Sequence, residues 1–118
     1  ALTIPTLKGK FNGLSVRVPT PVVSLADITA VLSRPTTKEE LTELFEKVAS
    51  EPFYEGILGV SNEELVSSDY RGDSHSCIVD LPLIDVVDGD LIKIVAWYDN
   101  EWGYSNRLVE LTADFGKE

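Results

Sequence analysis

The chain has 118 residues, with 20 acids against 10 bases, a net charge of −10 and a single cysteine. That is room for one domain with a real core and too little for two, and the acidic balance, with its bases scattered from Lys8 to Lys117, argues against recognition of nucleic acid or an anionic membrane. One cysteine supports no internal disulfide framework and fits a reducing, cytoplasmic setting, no apolar run approaches the roughly 20 residues of a membrane helix, and the N-terminus lacks the apolar core of a signal peptide.

In chain order, Leu14-Ser15-Val16-Arg17-Val18 alternates with period two and predicts a strand, broken at Thr20-Pro21. The β-branched stretch 22–32 predicts a long second strand, with Pro19 and Pro21 marking an edge or a bulge between the two. Residues 37–50 predict a helix. Thr37 is its N-cap, Glu40 at the third helical position completes a capping box, and Leu41, Leu44, Phe45, Val48 and Ala49 form the apolar stripe. Pro52 closes it. Two short strands are expected at 56–60 and 65–70. Residues 83–96 predict a hairpin turning on Asp88-Gly89, because glycine supplies the positive φ of a two-residue turn. A last helix is expected to start near Asp99 or Asn100, either able to cap it, and to bury Tyr104, Leu108, Leu111 and Phe115. Strands and helices without βαβ alternation imply an α+β fold, a mostly antiparallel sheet with helices packed on one face.

Few residues point to chemistry by themselves. His75 and Cys77 have the spacing of two side chains on one strand face, which allows a thiol–imidazole pair. The acidic surroundings of Asp69, Asp73 and Asp80 instead favour a small packed cysteine and a structural or surface histidine. One Cys and one His fall short of a zinc set, and Asp85, Asp88 and Asp90 lack the closing Glu of a calcium loop. Neither glycine-rich phosphate motif, GxGxxG or GxxxxGK[ST], occurs. Arg17, in an otherwise apolar strand, can grip phosphate in a bidentate fork or sit on the wet face of that strand, and pattern alone favours the second. The joint "WYDNEWGYSNR", residues 97–107, carries two Trp, two Tyr and two Asn between a strand and a helix. It suits a polar ligand at a helix N-terminus or a cap with an aromatic lock, and the lock again leads.

Taken together, these stretches resemble the C-terminal part of phosphorylating glyceraldehyde-3-phosphate dehydrogenases. The matching residues are Leu7-Lys8-Gly9-Lys10-Phe11-Asn12-Gly13, Arg17-Val18-Pro19-Thr20-Pro21, Gly56-Ile57-Leu58-Gly59, Leu65-Val66-Ser67-Ser68-Asp69, His75-Ser76, Ile78-Val79-Asp80 and the whole of 97–107. The Arg-Val-Pro-Thr-Pro block and the last block are the most specific. The resemblance implies that Arg17 contacts the substrate phosphate, that Asn100 hydrogen-bonds the nicotinamide carboxamide of NAD or NADP, and that Tyr104 packs near that ring. Trp97 and Trp102 are assigned to packing. Val22 stands where the family often has Asn, and Leu81-Pro82-Leu83-Ile84 replaces a stretch that usually contains Ser or Thr.

The family oxidises an aldehyde through a thiohemiacetal and an acyl thioester, then releases the product with inorganic phosphate, in glycolysis, gluconeogenesis or the Calvin cycle. Its nucleophilic Cys, base His and Rossmann domain lie N-terminal to everything matched here, and Cys77 and His75 are not those residues. Residues 1–118 are therefore expected to be a partial catalytic domain, without its nucleotide-binding domain, from a chain that begins upstream of Ala1. In isolation it is expected to be inactive. Glyceraldehyde-3-phosphate and phosphate are the implied ligands of the intact enzyme, and a homotetramer its implied assembly. The alternative is a non-catalytic protein-interaction module derived from that domain.

Overall fold

The apolar run 91–96 supplies the strand around which the others assemble. In the computed structural model, which describes residues 3–117, the elements are β1 (Ser24–Val31), α1 (Lys38–Ala49), β2 (Leu58–Ser61), β3 (Cys77–Asp80), β4 (Asp85–Val87), β5 (Leu91–Tyr98) and α2 (Trp102–Phe115). β1 pairs antiparallel with β5 along its whole length, from Ser24 opposite Tyr98 to Val31 opposite Leu91. β3 and β4 also pair antiparallel with β5, β3 towards its C-terminal end and β4 towards its start. β2 lies outside β3 and runs parallel to it. The class is α+β with a mostly antiparallel sheet.

Alternation along β5 explains the core. Ile92, Ile94 and Ala96 point to one face, where they meet Val79, Leu81, Ile84 and Leu41 of α1. Each such aliphatic side chain contributes about 1.5–3 kcal/mol when fully buried. Trp97 points to the other face, against a smaller cluster of Val23, Tyr70 and Ile78 next to the joint. α1 starts at Thr37, whose hydroxyl accepts from the Glu40 N–H at 3.2 Å. Only that half of the capping box forms. The Glu40 carboxylate turns instead to Arg34 at 2.6 Å and to the Thr36 hydroxyl at 2.8 Å, and these two partners, Arg34 first, hold its pKa low. The buried stripe of α1 is also narrower than its spacing implies, since Leu41 is buried while Leu44 is exposed.

Four expectations need correction. Residues 14–18 form no strand: Leu14, Val16 and Val18 are exposed and no ladder reaches them among the described residues. Their alternation describes a strand's side chains but supplies no partner for its backbone. Residues 65–70 are not a strand either. Ser67–Tyr70 is a 3-10 turn, entered where the Asp69 carboxylate accepts from the Val66 N–H at 2.8 Å, because Ser and Asp satisfy nearby backbone groups locally. The hairpin turn has three residues, Asp88, Gly89 and Asp90, since Val87 pairs with Leu91. Asp88 and Gly89 take φ of 52° and 81°. Finally, α2 does not bury its stripe. Tyr104, Leu108, Leu111 and Phe115 are all exposed, and Gly103 is its one buried residue among those described. The spacing puts these residues on one side of a helix, and among the described residues no second layer covers that side.

Candidate functional site at the strand-to-helix joint

The register of β1 on β5 sets the site. Ser24 lies opposite Tyr98, so the start of β1 is beside the chain leaving β5. The segment carrying Arg17 leads into the same end of the sheet.

Asp99 organises the joint. It is buried, with one carboxylate oxygen accepting from the Glu101 N–H at 3.2 Å and the Trp102 N–H at 3.0 Å. The other oxygen accepts from the Gly72 N–H at 2.9 Å. Neither capping candidate in the sequence is the N-cap, which is Glu101 without a side-chain cap; α2 begins at Trp102, and the Asp99 carboxylate reaches forward to that residue's N–H because it sits just ahead of the helix start. The Gly72 N–H, then that of Trp102 and, to a smaller extent, that of Glu101 hold the Asp99 carboxyl below the usual carboxylate range.

Two further contacts seat α2. A Cβ on Gly103 would lie 2.5 Å from the carbonyl oxygen of His75, so the helix approaches loop 71–76 more closely than any side chain allows. One turn on, the Arg107 guanidinium donates to the Gly56 carbonyl at 2.9 Å and forks onto Glu110. Beneath the joint, the Trp97 indole N–H donates to Asp80 at 3.0 Å and its ring stacks on Tyr70, centroids 5.5 Å apart and planes 19° from parallel. The Tyr70 hydroxyl is buried with no well-formed hydrogen bond among the described residues, and burial, as the largest cause, pushes its pKa up against a smaller lowering by Ser61. Trp97 is therefore a packing residue, whereas Trp102, expected to pack too, is 53% exposed.

The three residues singled out by the sequence fall as follows. Asn100 is exposed, and its Oδ1 accepts from the Ser24 hydroxyl at 2.9 Å. Its Nδ2 donates to nothing among the described residues. Tyr104, in the first turn of α2, is 68% exposed. Arg17 is exposed in the segment without regular structure and shares no hydrogen bond with either. An amide donor and an uncovered aromatic face at one helix start suit a planar ring that bears a polar carbonyl substituent. They form an open ledge rather than a cavity. A groove of about 480 Å³ lies elsewhere, lined by Leu25, Asp27, Lys38, Leu83, Asp85 and Lys93.

His75 and Cys77 do not pair. The imidazole Nδ1 lies 2.6 Å from Asp73, and Cys77 packs against the main core, where burial pushes its thiol pKa up. That is the wrong direction for a nucleophile. Sequence reasoning missed Ser24, Gly103 and the Asp99–Gly72 tie. Gly103 carried a signal, because a glycine inside a helix, here between Trp102 and Tyr104, points to close packing. Ser24 carried none, since its partner is 76 residues away.

Comparison with known proteins bears on this geometry. The family model described as glyceraldehyde 3-phosphate dehydrogenase, C-terminal domain, matches residues 1–100. The chain is 50% identical over 117 residues to a glyceraldehyde-3-phosphate dehydrogenase of Zymomonas mobilis, covering 99% of this chain and 35% of that protein. It is 47% identical over 118 residues to one of Streptomyces coelicolor and 48% identical to glyceraldehyde-3-phosphate dehydrogenase 1 of Bacillus subtilis, covering 100% of this chain and 35% of each relative. The chain thus spans about a third of the length of the curated relatives it matches.

Proposed function

The chain belongs to the family of glyceraldehyde 3-phosphate dehydrogenase C-terminal domains, and from that premise we propose that it is a portion of the catalytic domain of an NAD- or NADP-dependent dehydrogenase of that kind. It supplies the contacts to the substrate phosphate and the nicotinamide. The observation that carries this reading is the joint at 97–107, where Asn100, its Nδ2 without a partner among the described residues, and the exposed ring of Tyr104 stand four residues apart at the start of α2.

When bound, the dinucleotide supplies the hydride acceptor of the reaction. This chain's residues bind and orient. The Asn100 amide hydrogen-bonds the carboxamide, the Tyr104 ring packs beside the nicotinamide, and the Arg17 guanidinium neutralises the phosphate of glyceraldehyde-3-phosphate in a charge-assisted fork. The covalent step needs a thiolate and a nearby base. Cys77 is not placed for it, because its thiol is held protonated in the core and the one imidazole is turned to Asp73. By itself the chain has no dehydrogenase activity. The working enzyme is this chain together with a dinucleotide-binding portion that brings the thiol and the base, and the proposed setting is a cytoplasmic homotetramer.

The rival reading is a non-catalytic interaction module, which draws on the exposed stripe of Tyr104, Leu108, Leu111 and Phe115. Reconstitution separates the two. The chain assembled with the dinucleotide-binding portion should oxidise the aldehyde with phosphate present, and Arg17→Ala should raise the KM for substrate about 10- to 100-fold, the scale of a lost charge-assisted hydrogen bond. An assembled complex without turnover, or an unchanged KM in Arg17→Ala, counts against the dehydrogenase reading.

A further inference from the structure

We infer that Ser24 is a positioning residue for the cofactor amide: by donating its hydroxyl to the Asn100 Oδ1 across the β1–β5 register, it fixes which end of that amide is presented, so that the site holds a carboxamide by its oxygen. This rests on the cofactor reading of Asn100 and adds to it the group that sets its polarity.

A primary amide has one accepting and one donating end, nearly equal in shape, and a free asparagine presents either. Here the accepting end is occupied. The Ser24 hydroxyl lies 2.9 Å from Oδ1, which leaves both Nδ2 hydrogens for a ligand. The tie is held from two sides. Ser24 opens β1 at the position paired with Tyr98, so its backbone is fixed by the sheet. Asn100 follows Asp99, whose three backbone hydrogen bonds fix the joint. Val23, just before Ser24, is buried against Tyr70 and Ile78 at a φ of 69°, a conformation a β-branched residue rarely adopts. Such strain persists only where the surroundings enforce it, and here it sets the turn from which the Ser24 side chain reaches the joint.

The presented donor sorts ligands chemically. A carbonyl acceptor on the pyridine ring is taken, and its amino group contributes nothing to this contact. The acetylpyridine analogue of the dinucleotide keeps the carbonyl and lacks the amino group, so it should keep the contact. The thionicotinamide analogue, whose sulfur accepts hydrogen bonds weakly, should lose it.

The test uses the assembled dehydrogenase, titrated with NAD or NADP and with the two analogues. Ser24→Ala should weaken dinucleotide binding about ten-fold, the equivalent of one hydrogen bond, and narrow the gap between the acetylpyridine and thionicotinamide analogues. Ser24→Thr, which retains the hydroxyl, should restore both. In an Asn100→Ala background, Ser24→Ala should have no further effect on binding. Unchanged affinity and analogue preference in Ser24→Ala would overturn the inference. So would an equal loss in the Asn100→Ala background, which would mark Ser24 as merely structural. If the unmodified assembly binds neither dinucleotide, the cofactor reading itself falls and takes the inference with it, a result the unmodified control reports separately.

Discussion

A methyl group at Gly103 would meet the His75 carbonyl oxygen at 2.5 Å and the carbonyl carbon at 3.3 Å. Both atoms are backbone, in a loop whose Gly72 N–H is tied to Asp99, so the loop cannot yield by rotating a side chain. The first turn of α2 must lift instead, straining the hydrogen bonds from the Glu101 and Trp102 N–H groups to Asp99. Gly103→Ala should therefore destabilise the fold, although alanine is the better helix former by about 1 kcal/mol. A net loss of about 2–4 kcal/mol is expected, within the range of overpacked buried sites. It should appear as a lower urea midpoint at unchanged slope. A stability equal to or above the parent's would show that the contact relaxes freely. On the cofactor role proposed for Tyr104, the next residue, the same lift should also lower cofactor affinity in the proposed assembly.

At the scale of elements, the two helices look alike in sequence and differ in what covers them. Leu41 of α1 is 6% exposed and Leu111 of α2 is 55% exposed. Leu41→Ala should cost about 2–5 kcal/mol, as core truncations do, whereas Leu111→Ala in the chain alone should stay within about 0.5 kcal/mol. Hydrogen exchange should show α2 opening well before β5. Equal costs at the two sites would mean that the α2 stripe is packed after all. Periodicity tells which residues share a face and is silent on what lies against it. That is why α1, β1, β5 and the existence of α2 were legible in the sequence while the burial of α2 was not. Strand 14–18 failed for the same reason, since alternation is local and a ladder is not. β3 went unseen because four residues, Cys77–Asp80, between a His-Ser turn and a proline are too short a run to show a period, and its parallel partner β2 is far upstream. At the site, Asn100 and Tyr104 were visible as an unusual joint, and the roles proposed for them came from resemblance. The Ser24 tie depends on long-range register, which single-sequence pattern does not carry.

For the whole molecule, acid stability should follow one buried carboxylate more than the net charge of −10. Asp99 has a folded pKa below its ordinary value, the Gly72 N–H being the chief cause. A group of this kind contributes stability that is complete above the unfolded pKa, about 4, and disappears as pH falls through the lower folded value. Glu40 shifts in the same direction through Arg34, but that pair is exposed and screened. Titrating the other acids also relieves mutual repulsion, which works the opposite way and blurs the raw curve. Comparison with Asp99→Asn removes that background, because both chains share every other carboxylate. The variant loses a charged acceptor and turns an amide N–H towards backbone donors, so at pH 7 it should be less stable by about 1–3 kcal/mol. The gap should hold from pH 7 to about 5, then close below about 4 as Asp99 itself is protonated. Urea midpoints for both chains across that range measure it. A gap as wide at pH 3 as at pH 7 would mean that Asp99 acts through its shape rather than its charge.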